Sequence, residues 1–214
     1  MELLIESLET AGPDGRARRL VFADGSPPRT TSAAVAKEIG LAAGLSVDPA
    51  ALETALAEAE PCHAKERALS LLSYRERSAT EVDRRLSNDG YPPDVRRDVI
   101  DRLIELGLID DARFALVYAR SRFAAGFGTR RVSAELKERG VEDALAKEAI
   151  HEASGDVDEL SRARAALRGR VATGRSERER LLRRLVSRGF DLGTAIAALD
   201  QPCTVDGDEP FVGE

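Results

Sequence analysis

One glycine-centred pattern, repeated three times at a period near fifty, constrains this chain more than any other feature. Gly90, Gly140 and Gly189 lie 50 and 49 residues apart, and each is followed by an apolar residue, Tyr91, Val141 and Phe190. A leucine stands four residues before each glycine (Leu86, Leu136, Leu185), and another apolar residue stands eight before it (Val82, Val132, Leu181). Steps of four and eight mark one face of a helix, and a glycine just past them is a C-terminal stop. Apolar pairs follow each glycine at Val99 and Ile100, Ala149 and Ile150, and Ala198 and Leu199. Units of this kind cannot bury their apolar faces alone and stack on their neighbours. The expected fold is mostly α, with tandem three-helix repeats forming an elongated, curved array.

The spacing places repeat 1 at residues 61–108, with helices near 64–74, 78–89 and 93–106. Repeat 2 falls at 109–154, with helices near 110–123, 129–139 and 142–153. Repeat 3 falls at 155–200, with helices near 157–172, 176–188 and 191–200. Ser78 with Glu81, and Ser176 with Glu179, have capping-box spacing. The doubled acid Asp110-Asp111 has the chemistry of a helix start, where a carboxylate meets free amides and the positive dipole end. Gly126-Phe127-Gly128 reads as a tight reversal with positive φ at Gly128, and Thr129 as the cap of the helix beyond it.

Residues 1–60 read as a β-hairpin plus helix module. Strands near 2–9 and 17–24 flank Gly12-Pro13-Asp14-Gly15, a run of turn formers. Thr31 or Ser32 caps a short helix ending near Ile39, and Asp48-Pro49 opens another. Such a hairpin is marginal alone, so it packs on the first repeat or lies loosely beside it. Residues 201–214 are acidic, hold glycines and prolines, and are expected to be disordered.

Several functions find no support in the sequence. No phosphate-binding loop, dinucleotide fingerprint, nucleophile elbow or zinc-protease motif is present, so no catalytic residue and no cofactor are expected. Cys62 and Cys203 with His63 and His151 make neither a disulfide framework nor a metal set. No apolar run reaches the length of a membrane span, and the first residues lack a basic signal-peptide start, so a cytoplasmic protein is expected.

Charge is unevenly spread. The net charge is −6, yet residues 155–190 hold ten arginines against five acids. Dense arginine binds phosphates or carboxylates, whereas an acidic whole argues for weak or no DNA binding by the protein alone. The competing reading is a stand-alone helical nucleic-acid-binding module. For any single arginine, a solvated helix face paired at i to i+4 is the plainer explanation.

Three stretches carry a family likeness: ALSLLSYRERSATEVDRRL, LIELGLIDDARFALVYARSR and GFGTRRVSAELKERGV. Leu71, Leu72, Arg77, Ser78, Glu81, Leu86 and Gly90 fit one motif, and Leu103, Gly107, Asp110, Asp111 and Phe114 fit a second. Gly126, Gly128, Arg131, Leu136, Gly140 and Val141 fit a third. Over residues 61–153 the chain resembles the RecX family, regulators of the RecA recombinase. The resemblance implies a monomeric binding protein that acts on RecA filaments on single-stranded DNA and inhibits ATP hydrolysis, strand exchange and co-protease activity in repair and the SOS response. The contact residues it suggests are Arg120, Arg122, Arg130, Arg131 and Lys137, supported by Arg162, Arg164 and Arg168.

Overall fold

The structure, a computed structural model, describes residues 2–200. In chain order its elements are β1 (Leu3–Ala11), β2 (Ala17–Phe22), β3 (Arg29–Ser32), α1 (Ala33–Glu38), β4 (Ser46–Val47), α2 (Pro49–Leu72), α3 (Ala79–Asn88) and α4 (Pro93–Glu105). Six more helices follow: α5 (Asp111–Ala124), α6 (Thr129–Glu138), α7 (Asp143–Ser154), α8 (Glu159–Leu167), α9 (Arg175–Ser187) and α10 (Leu192–Asp200). The chain forms two compact units, Met1–Asp111 and Ala112–Glu214. The acidic stretch 201–214, with Cys203, lies outside the described residues.

In the first unit the hairpin grows into a four-stranded antiparallel sheet of order β3-β2-β1-β4. Ser32 caps α1, its hydroxyl accepting from the Val35 amide at 3.1 Å. Ile5, Leu20 and Phe22 of the sheet share one core with Leu56, Val82, Leu86 and Leu103 of the helices, so the module packs on the first repeat. Gly90 is part of that seam. A Cβ there would stand 2.6 Å from the Thr31 carbonyl oxygen and 2.9 Å from the Ala17 Cβ.

The first helix of repeat 1 starts at Pro49 and not near residue 64. Leu52, Leu56, Ala59, Ala64, Ala68 and Leu71 are buried on it at helical spacing that continues across Pro61. That continuous packing outweighs the backbone hydrogen bond that a proline inside a helix removes.

In the second unit α5, α6 and α7 enclose one core and α8, α9 and α10 a second. The expected register is observed. Leu86, Leu136 and Leu185 are each 0% exposed, and Val82, Val132 and Leu181 are equally interior. Their glycines all have positive φ, at 95°, 75° and 90°.

Two caps come from unexpected places. The Asp111 carboxylate accepts from the Ala79 amide at 2.8 Å, closing the start of α3. Glu159 repeats the device on α6, its Oε1 accepting from the Thr129 amide at 3.0 Å. The N-cap of α6 is Gly128 and not Thr129. Ser176 lies inside α9, and Glu177 in the first turn of that helix accepts from the amide of Thr173, which precedes the helix, at 3.1 Å.

Gly128 also differs from expectation in its backbone. Its φ is −87°, which any residue adopts, and the positive φ of the reversal belongs to Gly126 at 79°. Gly128 is small because another backbone crosses it. Its amide donates to the Arg188 carbonyl at 2.9 Å, and the Arg130 amide donates to the Gly189 carbonyl at 3.2 Å. This crossing joins the start of α6 to the end of α9.

Candidate functional site

The reversal between α5 and α6 carries an aromatic ring that collects arginines. Phe127 lies between two glycines at the end of α5, half-buried, so its ring is open to side chains from three segments. The Arg122 guanidinium sits 3.8 Å from the ring centroid, Arg131 4.7 Å and Arg188 5.6 Å. Tyr118, one turn back on α5, holds Arg139 at 4.4 Å and Arg122 at 5.9 Å. Each cation over a ring contributes about 0.5–2 kcal/mol, the higher values where water is excluded.

One carboxylate organises this cluster. Glu135 on α6 accepts from Arg122 at 2.7 Å, Arg131 at 2.9 Å and the Tyr118 hydroxyl at 2.8 Å. Burial pushes its carboxyl up, but the hydrogen bonds from Arg131, Arg122 and Tyr118 outweigh burial and hold it at about 2. Burial, and then the bond to Glu135, push the Tyr118 phenol up, which keeps it a donor. Arg188 is tied from the other side, donating to the Gly126 carbonyl at 3.1 Å.

Four arginines thus surround one carboxylate and two rings, leaving a net positive, partly apolar surface. Guanidinium groups fixed by stacking lose little freedom on binding and present forks that match carboxylates and phosphates. The Arg131 side chain stays 44% exposed and is the most accessible of those bound to Glu135.

Of the residues singled out from the sequence, Arg122 and Arg131 meet in this cluster. Arg120 turns to α7 and pairs with Glu152 at 3.0 Å, with both side chains more than half exposed. Arg130 and Lys137 are exposed on α6. Arg162 stacks on Phe123 at 4.6 Å, Arg164 is half-buried, and Arg168 is exposed at the end of α8 in a left-handed conformation. Sequence reasoning missed Phe127, Tyr118, Glu135 and Arg139, and held Arg188 only as one of the arginines of residues 155–190. The signals for two of them were present: Glu135 stands four residues after Arg131, and Phe127 is the aromatic inside the glycine pair.

The fold is that of a helical-repeat protein with a small N-terminal sheet module. Two family profiles match it: RecX, first three-helix domain, over residues 64–103, and RecX, second three-helix domain, over residues 110–150. The regulatory protein RecX of Halorhodospira halophila is 37% identical over 144 residues, covering 64% of this chain and 88% of that protein. Its counterpart from Chromohalobacter salexigens is 39% identical over 131 residues, covering 59% and 84%. The chain belongs to the RecX family. A crystal structure of RecX from Lactobacillus salivarius has the same fold at 22% identity, with a TM-score of 0.56 over 66% of this chain and 95% of that one. A second crystal structure of a regulatory protein RecX matches at 18% identity and a TM-score of 0.58, over 93% of this chain and all of the other.

Proposed function

We propose that this protein is a regulator of the RecA recombinase that acts by binding and carries no chemistry of its own. Family membership supports the regulatory role. The observation that carries the surface assignment is the Arg122, Arg131 and Arg188 cluster on Phe127, organised by Glu135. Its charge and stacking geometry suit acidic protein surface or the phosphates and bases of single-stranded DNA within a RecA filament. Exposed Arg130 and Lys137 lie on the same helix as Arg131 and extend the basic surface. The outcome of binding is inhibition of ATP hydrolysis, strand exchange and co-protease activity in recombination, repair and the SOS response. The protein acts in the cytoplasm as a monomer.

The deciding experiment is RecA ATP hydrolysis on single-stranded DNA with stoichiometric purified protein. Inhibition is expected, and Phe127→Ala weakens it roughly tenfold, because it removes the ring that positions the arginines. Unchanged RecA turnover with the wild-type protein sinks the proposal. The arginine excess of residues 155–190 favours the second reading, a stand-alone nucleic-acid-binding module. A gel shift without RecA separates the two, since tight binding with a steep salt slope supports the second reading.

A further inference from the structure

We propose that the groove between α2 and α4 of the first unit binds a small organic cation, an ammonium group on an aliphatic chain. The groove holds about 470 Å³, the size of a small-ligand site. Pro61, Val95, Val99 and Leu103 give it an apolar lining. Such a lining suits an alkyl chain and not a hydrated metal ion.

The polar groups at the groove are mostly acceptors. Glu60 lines it with only 1% of its surface exposed, an uncommon place for a carboxylate. Its Oε1 accepts from the Thr31 hydroxyl at 2.7 Å. Its nearest cation, Arg29, stands 3.8 Å from Oε2, beyond hydrogen-bond reach. Burial pushes the Glu60 carboxyl up, and Glu53 and Asp94 add to that push against Thr31 and Arg29. Ala57, also at the groove, has a carbonyl that cannot receive the usual helical amide, because the residue four further on is Pro61. Asp94 and Asp98 sit exposed on the α4 side, where Asp98 also accepts from Arg97 at 3.3 Å. Among the cations lining the groove, Arg29 lies 3.4 Å from Glu53 and Arg102 is bonded to Glu105 at 2.8 Å.

A cation entering this groove therefore meets Asp94, the Ala57 carbonyl and the Glu60 oxygen that Thr31 leaves free at the head, and apolar carbon along the tail. Arg29 Nε, buried without a hydrogen bond, and the exposed Lys65 would suit an anion instead, so the test must carry one. Full-length protein is titrated with n-hexylamine, 1-hexanol and hexanoate, followed by amide chemical shifts and calorimetry. Saturable hexylamine binding with shifts on α2 and α4 is expected, and the alcohol and the acid bind roughly tenfold more weakly, since a charge-assisted hydrogen bond is lost. Glu60→Gln keeps the side-chain shape and weakens hexylamine roughly tenfold, and the exposed pair Asp94→Asn with Asp98→Asn does so without touching the core. Circular dichroism checks that each variant is folded. Alcohol binding as tight as the amine, tighter hexanoate, no saturable shift, or unchanged affinity in the folded double variant each overturn the proposal.

Discussion

Replacing Gly128 by alanine separates two reasons for having glycine there, because they predict opposite signs. With φ at −87° alanine is unstrained, and the stiffer unfolded chain alone would stabilise the variant by about 0.4–1 kcal/mol. The crossing backbone changes that sign. A Cβ at 128 would stand 2.5 Å from both the carbonyl carbon and oxygen of Gly189 and 2.6 Å from the Phe190 nitrogen, all main-chain atoms with no rotamer to relieve the clash. Moving them apart weakens the bonds from Gly128 to Arg188 and from Arg130 to Gly189, about 0.5–1.5 kcal/mol each. Overpacking adds about 1–3 kcal/mol, so the net expectation is a loss of about 1–5 kcal/mol. Urea unfolding followed by circular dichroism measures it. Gly189→Ala meets Arg131 Cβ at 2.3 Å and has positive φ as well, so it loses more. The double variant is less than additive, because both substitutions open the same crossing. A Gly128→Ala protein as stable as wild type, or more stable, refutes the close-approach argument. Gly128→Val is expected to stay folded on its Val132 and Leu136 anchors while losing much of its effect on RecA, because α6 and its basic residues shift.

Three further outcomes are expected. Leu136→Ala, at a fully buried position, costs about 2–5 kcal/mol in chemical denaturation, and Leu86→Ala and Leu185→Ala fall in the same range. Glu135→Gln destabilises by roughly 1–3 kcal/mol at neutral pH, after allowance for solvent screening. The folded carboxyl lies at about 2, below its ordinary 4.5, so this contribution is fully present above pH 4.5 and is lost as pH falls toward 2. Thermal melts of wild type and variant should therefore converge in acid, and a constant gap down to pH 2 would remove the charge argument. Glu159→Ala removes the acceptor of the Thr129 amide at the start of α6, and Asp111→Ala that of the Ala79 amide at the start of α3, which Ser78 still caps; each costs about 1 kcal/mol, and faster exchange of those amides locates the effect.

The repeat was legible because its register depends on residue type at short spacing. Leu86, Leu136 and Leu185 with their glycines report burial and a positive φ wherever they occur. Gly128 shows where that legibility stops. Its partner backbone is Gly189, about sixty residues on, and a sequence scan cannot tell a glycine needed for φ from one needed for space. Thr129 was misread for the same reason, since Glu159 from the next repeat takes its amide. Repeat spacing alone set the first helix of repeat 1 near residue 64, and the buried stripe of α2 extends it back to Pro49. At the surface, the arginine residues were visible but their company was not. What distinguishes Arg122 and Arg131 from Arg120 is Phe127 and Glu135, and that grouping exists only once α5 has turned back onto α6.

The capping carboxylates have a consequence for where this chain can be cut. Asp111 finishes α3 and Glu159 finishes α6, yet each belongs by sequence to the repeat that follows. The structural module is therefore shifted along the chain from the sequence motif by a few residues at every boundary. A fragment ending at Ser154 would contain all of repeat 2 by sequence and still lack the acid that closes α6, the Gly189 carbonyl that receives the Arg130 amide, and the Arg188 guanidinium that lies over Phe127. Truncation at that boundary would take Arg188 from the arginine cluster and loosen the start of α6 from a distance, without touching any residue of α5 or α6.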